Sequence, residues 1–537
     1  MENSVIDKIV TEKDKGSYQI LEVSYTTHRS EKKTIIRRDH LHTSLLISFF
    51  QTPTDAEVAA IVKSFKFLER PSRLSDIPRM MWIVIDMVWR SIIVALTFTS
   101  KPLLSTLGYF ILNKNNENDK QAAFGIYLML EIILHYSFCL GISLKMSLSA
   151  SQSIGRGDDY TQSKKFFTQA TLMYVIYLLL VYMPFMAFSR QLLTASGMTQ
   201  FVADGYYDIA WKALLGDFFV CIQMFLMEFC YSQMIESIFA ALTWINLIAS
   251  GGLILVLDFK YGYSFDGWII GKTAFYMLNS IAFFVIYMTQ THKDSRGFCS
   301  LTAAMKSFNE FVFEGITYWI GNVTEWMSWE SSTFFVGLTR DTTQMAALVS
   351  LMNIPYIMCD IGSGFLTIGR TRVNYLLGAG LTKASKKMAA LAFLSCLVPA
   401  IIFGLLLLFT KDDIALLYAS NDLLEKAYLV RLIEIYSFFT IIDISYFLFV
   451  ALMRGANQVL FSTLAFLFIG VGGNSSICTY LYLTNKLSSA AILLSMYSAL
   501  SLALFLCVVR LFTLDWQKIK IETAECPETV LPVNELK

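Results

Sequence analysis

Apolar residues run along this chain in blocks of about twenty, parted by short polar stretches, from residue 80 to residue 512. A block of that length suits a helix crossing the ~30 Å hydrocarbon core of a bilayer. The pattern predicts about twelve such helices, near 80–111, 121–149, 166–187, 205–231, 235–257, 266–290, 315–339, 342–368, 388–409, 427–453, 460–483 and 488–512. The first 79 residues are polar and basic and hold no early apolar run, so no cleavable signal peptide is expected. The stretch EVAAIVKSFKFLERP predicts one short helix near Glu57–Arg70, with the rest of that tail mobile.

Composition agrees with this pattern. Of 537 residues, 55% are hydrophobic and 16% charged, where soluble domains carry roughly 25% charged residues. The expected fold is an all-α polytopic membrane protein. The formal charge of +1 comes without a dense basic stripe, so no nucleic-acid partner is expected. Nine scattered cysteines lack a CxxC spacing, which argues against a disulfide framework or a metal site. No GxxxxGK[ST] occurs, so this chain is no ATP-driven pump. Of the five histidines only His135 falls clearly in a span, which argues against an intramembrane enzyme.

Lysine and arginine set the orientation. They gather in the amino-terminal tail and in the loops after helices 2, 6 and 8, with Arg156/Lys164/Lys165, Lys293/Arg296/Lys306 and Arg370/Arg372/Lys383/Lys386/Lys387. Both termini are therefore expected in the cytoplasm. The sequons at Asn322 and Asn474 fall within spans, where glycosylation is not expected. In the first helix Asp86 and Arg90 stand one turn apart and are expected to neutralise each other.

The loop after helix 2 reads SASQSIGRGDDYTQSKKF, and the loop after helix 8 reads RTRVNYLLGAGLTKASKKM. Aligning Gly155-Arg-Gly157 with Gly378-Ala-Gly380 gives an offset of 223 residues, about half of the membrane region. Each loop follows the second helix of a six-helix set. Two pseudo-symmetric six-helix lobes follow, in the manner of transporters built from repeats. The expected divisions are a tail over 1–79, lobes over 80–290 and 315–512, a cytoplasmic linker over 291–314, and a second tail over 513–537.

Four stretches carry a specific resemblance. SQSIGRGD (Ser151–Asp158), EWMSWE (Glu325–Glu330), RVNYLLGAG (Arg372–Gly380) and DISYFLFVALMRGANQ (Asp443–Gln458) follow one another in family order. Over residues 80–512 the chain resembles the multidrug and toxic compound extrusion (MATE) family, in its eukaryotic branch. It departs from the family in lacking the early proline of helix 1 and a counterpart of the bacterial helix-1 aspartate. The resemblance implies a monomeric secondary antiporter in the plasma membrane or an acidic organelle membrane. It would export cationic or amphipathic organic compounds against protons, or against sodium, with no cofactor. A lipid-linked sugar flippase of the same superfamily is the alternative.

A carboxylate at the bilayer centre costs about 2.5–3.5 kcal/mol on insertion scales and so tends to mark function. Glu325 and Glu330 fall near the middle of helix 7, and Asp443 near the middle of helix 10. Burial disfavours the charged form, so such groups can take up a proton on one side and yield it to a substrate cation on the other. Trp326 and Trp329 offer aromatic faces to an organic cation. Asn353, Asp360 and Gln344 on helix 8 are further lining candidates, and Asp217, Gln223 and Lys272 polarise the first half. Glu131 and His135 are expected to pair with each other. Gln152, Gly155, Gly157, Gly378 and Gly380, with Arg372 and Arg454, are expected to be structural, the arginines meeting lipid phosphate or loop carbonyls.

Overall fold

The computed structural model describes residues 10–15, 18–27, 30–37, 65–70, 74–114, 118–157, 160–339, 341–418 and 423–519. Residues 1–52 and 53–537 form two separate compact units. The first holds three antiparallel strands paired in chain order, β1 (Val10–Lys15), β2 (Tyr18–Thr27) and β3 (Ser30–Arg37). Regular structure was not expected in that tail. Its physical basis is composition: β2 and β3 carry Ile20, Val23, Tyr25, Thr26, Thr27, Thr34, Ile35 and Ile36, residues that suit a pleated strand. Lys15 faces Tyr18 and Thr27 faces Ser30, so two residues join each pair, a common hairpin length. Of the short helix expected near Glu57–Arg70, residues 57–64 lie outside the described residues, and Lys66–Glu69 form one 3-10 turn.

The second unit is helical throughout its described residues. Its first six long helices are α1 (Ile77–Leu112), α2 (Ala123–Arg156), α3 (Thr161–Ala195), α4 (Gln200–Ser232), α5 (Ser237–Tyr261) and α6 (Ser264–Gln290). The second six are α7 (Phe308–Gly337), α8 (Thr342–Gly378), α9 (Thr382–Phe409), α10 (Leu423–Gly455), α11 (Val459–Leu483) and α12 (Ser489–Thr513). Among the described residues, eleven helices are long and apolar enough to cross a membrane. α7 is not among them, because Asn322, Thr324, Ser328, Ser331 and Ser332 together with Glu325 and Glu330 lower its apolar content. Several helices overrun their expected spans: α7 begins inside the stretch expected as linker, and α8 continues ten residues past 368 to Gly378. Hydropathy registers only the apolar slab, whereas hydrogen bonding carries a helix on into polar surroundings.

Enclosure repeats with the sequence. α4 and α10 are the most enclosed spans at 72% and 67%, whereas α5 and α11 fall to 22% and 28% and face outward. Across the centre, α1 packs on α8 and α7 packs on α2, contacts that exchange when one six-helix set is rotated onto the other. The 223-residue offset holds at the closest approaches. A Cβ on Gly141 of α2 would meet the Trp319 backbone of α7 at 2.8 Å, and one on Gly364 of α8 would meet the Ser91 carbonyl of α1 at 2.1 Å. Only hydrogen at these positions lets the helix backbones touch.

Both loop glycines, Gly157 and Gly380, take left-handed φ of 79° and 73° and end their helices. The segment at 66–70 is tied to the second lobe, where the Glu69 carboxylate accepts from the Ala384 backbone N–H at 2.9 Å and so caps α9. Asn322 and Asn474 are fully buried within α7 and α11, out of reach of glycosylation.

Candidate functional site

A narrow pocket lies between the two six-helix sets, lined by Tyr136, Glu228, Asn322, Glu325, Ser363 and Arg454 among others. Of the expected midplane carboxylates, Glu325 reaches it. Arg454, near the end of α10, donates from Nη2 to Glu325 Oε1 at 2.6 Å, with both side chains below a tenth exposed. The arginine was expected to meet lipid phosphate or loop carbonyls. Instead α10 carries it inward under Gly321 of α7, where a side chain would crowd the guanidinium at 3.3 Å. Tyr318 adds a hydroxyl donated to the Arg454 carbonyl at 3.2 Å.

Asp443 is held differently. It is 1% exposed and accepts at Oδ2 from Tyr436 at 2.6 Å and from Tyr497 of α12 at 2.9 Å. Its Oδ1 has no hydrogen-bond partner. Trp329 is buried and stands edge-on to Tyr497, while Trp326 stacks on Tyr356 of α8. Neither indole lines the inter-lobe cavity. Their faces serve packing inside the second lobe, because α7 turns that side toward α8 and α12. Cys359 of α8 stands within electrostatic reach of Asp443, Asp360 and Glu325. The side chains of Glu330 and Asn353 lie outside the described residues.

Gln344 does not line the cavity. Its amide donates to Asp341 Oδ2 at 2.9 Å and accepts from the Ser489 N–H at 2.9 Å, joining the starts of α8 and α12.

The first lobe holds a charge cluster of its own. Lys272 of α6 pairs with Asp217 of α4 at 2.9 Å and with Glu131 of α2 at 3.3 Å. Tyr127 and Tyr182 donate to Asp217 at 2.9 and 3.0 Å. Gln223, also expected to polarise this half, is buried with its Oε1 unpartnered. Glu131 and His135 do not pair as expected, and His135 meets the Tyr174 hydroxyl at 3.1 Å. The reason is local: Glu131–Tyr136 form a π-helical turn, whose wider pitch takes residues four apart out of register.

At the end of the bundle that bears the basic loops, ion pairs cross between lobes. Arg370 of α8 reaches Glu228 of α4 at 2.5 Å, and Arg372 reaches Asp86 of α1 at 2.5 Å. Lys145 of α2 pairs with Glu314 of α7. Asp86 also holds Arg90 at 3.0 Å, the one-turn pair foreseen in the sequence. Gln152 donates weakly to the Gly455 carbonyl at 3.4 Å. Lys145, Glu228, Arg370 and Lys101 were not singled out as site candidates, for a lone charge in an apolar run names no partner.

Residues 319–481 match the MatE family model. A eukaryotic MATE transporter, AtDTX14, superposes with a TM-score of 0.69 at 17% identity, covering 82% of this chain and 97% of that one. The chain has the MATE fold, and residues 319–481 carry the family's domain. The MATE fold is shared too with a MOP superfamily transporter from Pyrococcus furiosus, described as having a binding pocket of reversed polarity, with TM-score 0.69, 11% identity, and coverage of 81% and 95%. In sequence, multidrug and toxin extrusion protein 1 of Danio rerio is 23% identical over 198 residues, 36% of this chain. The match spans 32% of that relative's length. The resemblance read from the four motifs is thus borne out, and with it an all-helical, multi-pass membrane region.

Proposed function

We propose that this MATE-fold protein is a secondary antiporter, not an enzyme, that exports cationic or amphipathic organic compounds in exchange for protons by alternating access. The observation that supports this best is Asp443. It is a fully buried carboxylate with two tyrosine donors, one bare oxygen and, among the described residues, no cation paired to it. Such a group exchanges a proton without leaving an uncompensated partner behind. Glu325 faces the cavity but is held by Arg454, so a substrate cation entering there competes with the guanidinium. The inter-lobe ion pairs and glycine contacts close the end bearing the basic loops, which the positive-inside rule assigns to the cytoplasm.

The flippase alternative calls for free basic groups facing a pyrophosphate. Here Arg454, Arg370 and Lys145 each meet a carboxylate, which favours the antiporter.

Purified protein in liposomes, with ethidium as probe and proton or sodium gradients imposed separately, tests the reading. Ethidium movement should follow the proton gradient and be abolished in Asp443→Asn. Normal proton-driven transport by a well-folded Asp443→Asn protein would overturn it.

A further inference from the structure

We propose that residues 65–70 act as a releasable strap, which holds the two lobes together at the end bearing the basic loops and must leave α9 for that end to open. The inference rests only on the opening of the lobes in the transport reading above, and on neither its substrate nor its coupling ion. The strap sits on the second lobe. Leu68 is 1% exposed, with Phe65 and Phe67 half-buried beside it. The Glu69 carboxylate takes the Ala384 N–H at 2.9 Å, and the Lys387 ammonium donates to the Arg70 carbonyl. Both partners lie in the first two turns of α9.

From there the chain leads into the first lobe. Six residues separate Arg70 from the start of α1 at Ile77, and three of them form the 3-10 turn Leu74–Asp76. The other three, even fully extended, span no more than about 11 Å. A docked strap therefore limits how far α1 can part from α9, and α1 packs on α9 and α8 across the lobe boundary.

The lead-in to α7 is its counterpart. It docks on α3, the third helix of the first set, as the strap docks on α9, the third helix of the second. Gln169 of α3 donates to the Ala304 and Lys306 carbonyls at 2.8 and 3.2 Å, and the Cys299 N–H donates to the Thr168 hydroxyl at 3.0 Å. Ser307, with a left-handed φ of 64°, then turns the chain into α7. The two lead-ins differ in one respect. The segment before α7 continues directly from α6 of the lobe on which it docks, and so stays with that lobe. The strap is held to α9 only by its leucine anchor, the cap and the lysine bond. So few contacts, set against the conformational entropy of ordering the segment, make its docking reversible.

Amide hydrogen exchange of the purified full-length protein in detergent, resolved by peptide, tests this with no gradient or substrate present. Leu68→Asp should speed exchange over 65–70 and the start of α9 by roughly tenfold, the scale of one lost leucine anchor. It should also speed exchange over 151–157 and 374–380, where the lobes meet through Gly155 and Gly378. The mid-sections of α6 and α12, which pack within their own lobes, should not change. Glu69→Gln, which keeps the leucine, should act at the same places to a smaller degree, and it decides the matter if Leu68→Asp does not fold. A rise confined to the strap and α9, a rise shared equally by α6 and α12, or no rise at all would each overturn the proposal. Because no gradient is imposed, failure of proton coupling in liposomes bears on the transport reading alone.

Discussion

Gly155 of α2 lies against Tyr375 of α8 so closely that a Cβ on the glycine would stand 2.3 Å from the tyrosine carbonyl oxygen. The same relationship recurs one repeat along. Gly378 lies against Gln152, with a distance of 2.1 Å, and both residues are displaced by 223 positions from their counterparts. The contact is self-complementary, as a twofold axis between like surfaces requires.

Alanine at either position therefore forces backbone from backbone, because no flexible side chain is available to yield. Overpacking of this kind costs about 1–3 kcal/mol. Gly155→Ala and Gly378→Ala should each lower the melting temperature in detergent by several degrees, and by similar amounts. A melting temperature equal to that of the parent would show that the two loops do not meet.

The inter-lobe ion pairs should differ sharply in worth. Arg370 and Glu228 are 2% and 1% exposed, whereas Asp86 is 33% exposed. Removing Glu228 leaves a buried guanidinium whose other acceptor is the Ser147 hydroxyl at 3.2 Å. Glu228→Gln should cost about 3–5 kcal/mol, the range for breaking a buried pair. Asp86→Asn, screened by water, should cost ~1 kcal/mol or less. Thermal melting compares them directly, and a greater loss for Asp86→Asn would contradict the assignment.

Glu325 and Arg454 should be coupled. Each single change, Glu325→Gln or Arg454→Gln, strands a buried charge, while the double change strands none. The double variant should lose less stability than the two singles added together, with an interaction of at least ~1 kcal/mol. Strict additivity in a double-mutant cycle would show that no pair forms. For the same reason Glu325→Gln should be less stable than Asp443→Asn, whose site holds no cation.

Asp341, between α7 and α8, supplies a pH-dependent contribution. Backbone and side-chain N–H groups of Gln344, followed by the Thr343 N–H, hold its carboxyl below the usual aspartate value. A lowered folded-state value means the stabilisation is full above the unfolded aspartate value, near 3.9, and is lost as pH falls through the lower folded value. Asp341→Ala should be less stable than the parent at neutral pH, with the difference shrinking at the acid end. A difference that holds constant down to strong acid would remove the carboxylate from the cap.

Much of this architecture was legible along the chain, because insertion into lipid is a matter of local composition. Twenty apolar residues form a helix there whatever their neighbours, so the twelve elements and the repeat of Gly155 at Gly378 could be read without coordinates. Asp86 and Arg90 could be paired because four residues on a helix always meet. Longer pairings could not. Glu325 finds Arg454 across 129 positions, Arg370 finds Glu228 across 142, and Glu131 forsakes His135 for Lys272 after a π turn rotates its face. Gly141 and Gly364 look like unremarked helix residues until α7 and α1 lie against them. Each buried charge needed a partner, a requirement evident in the amino acids alone. Which partner it took depended on helix rotation and crossing, which are set by packing over the whole bundle.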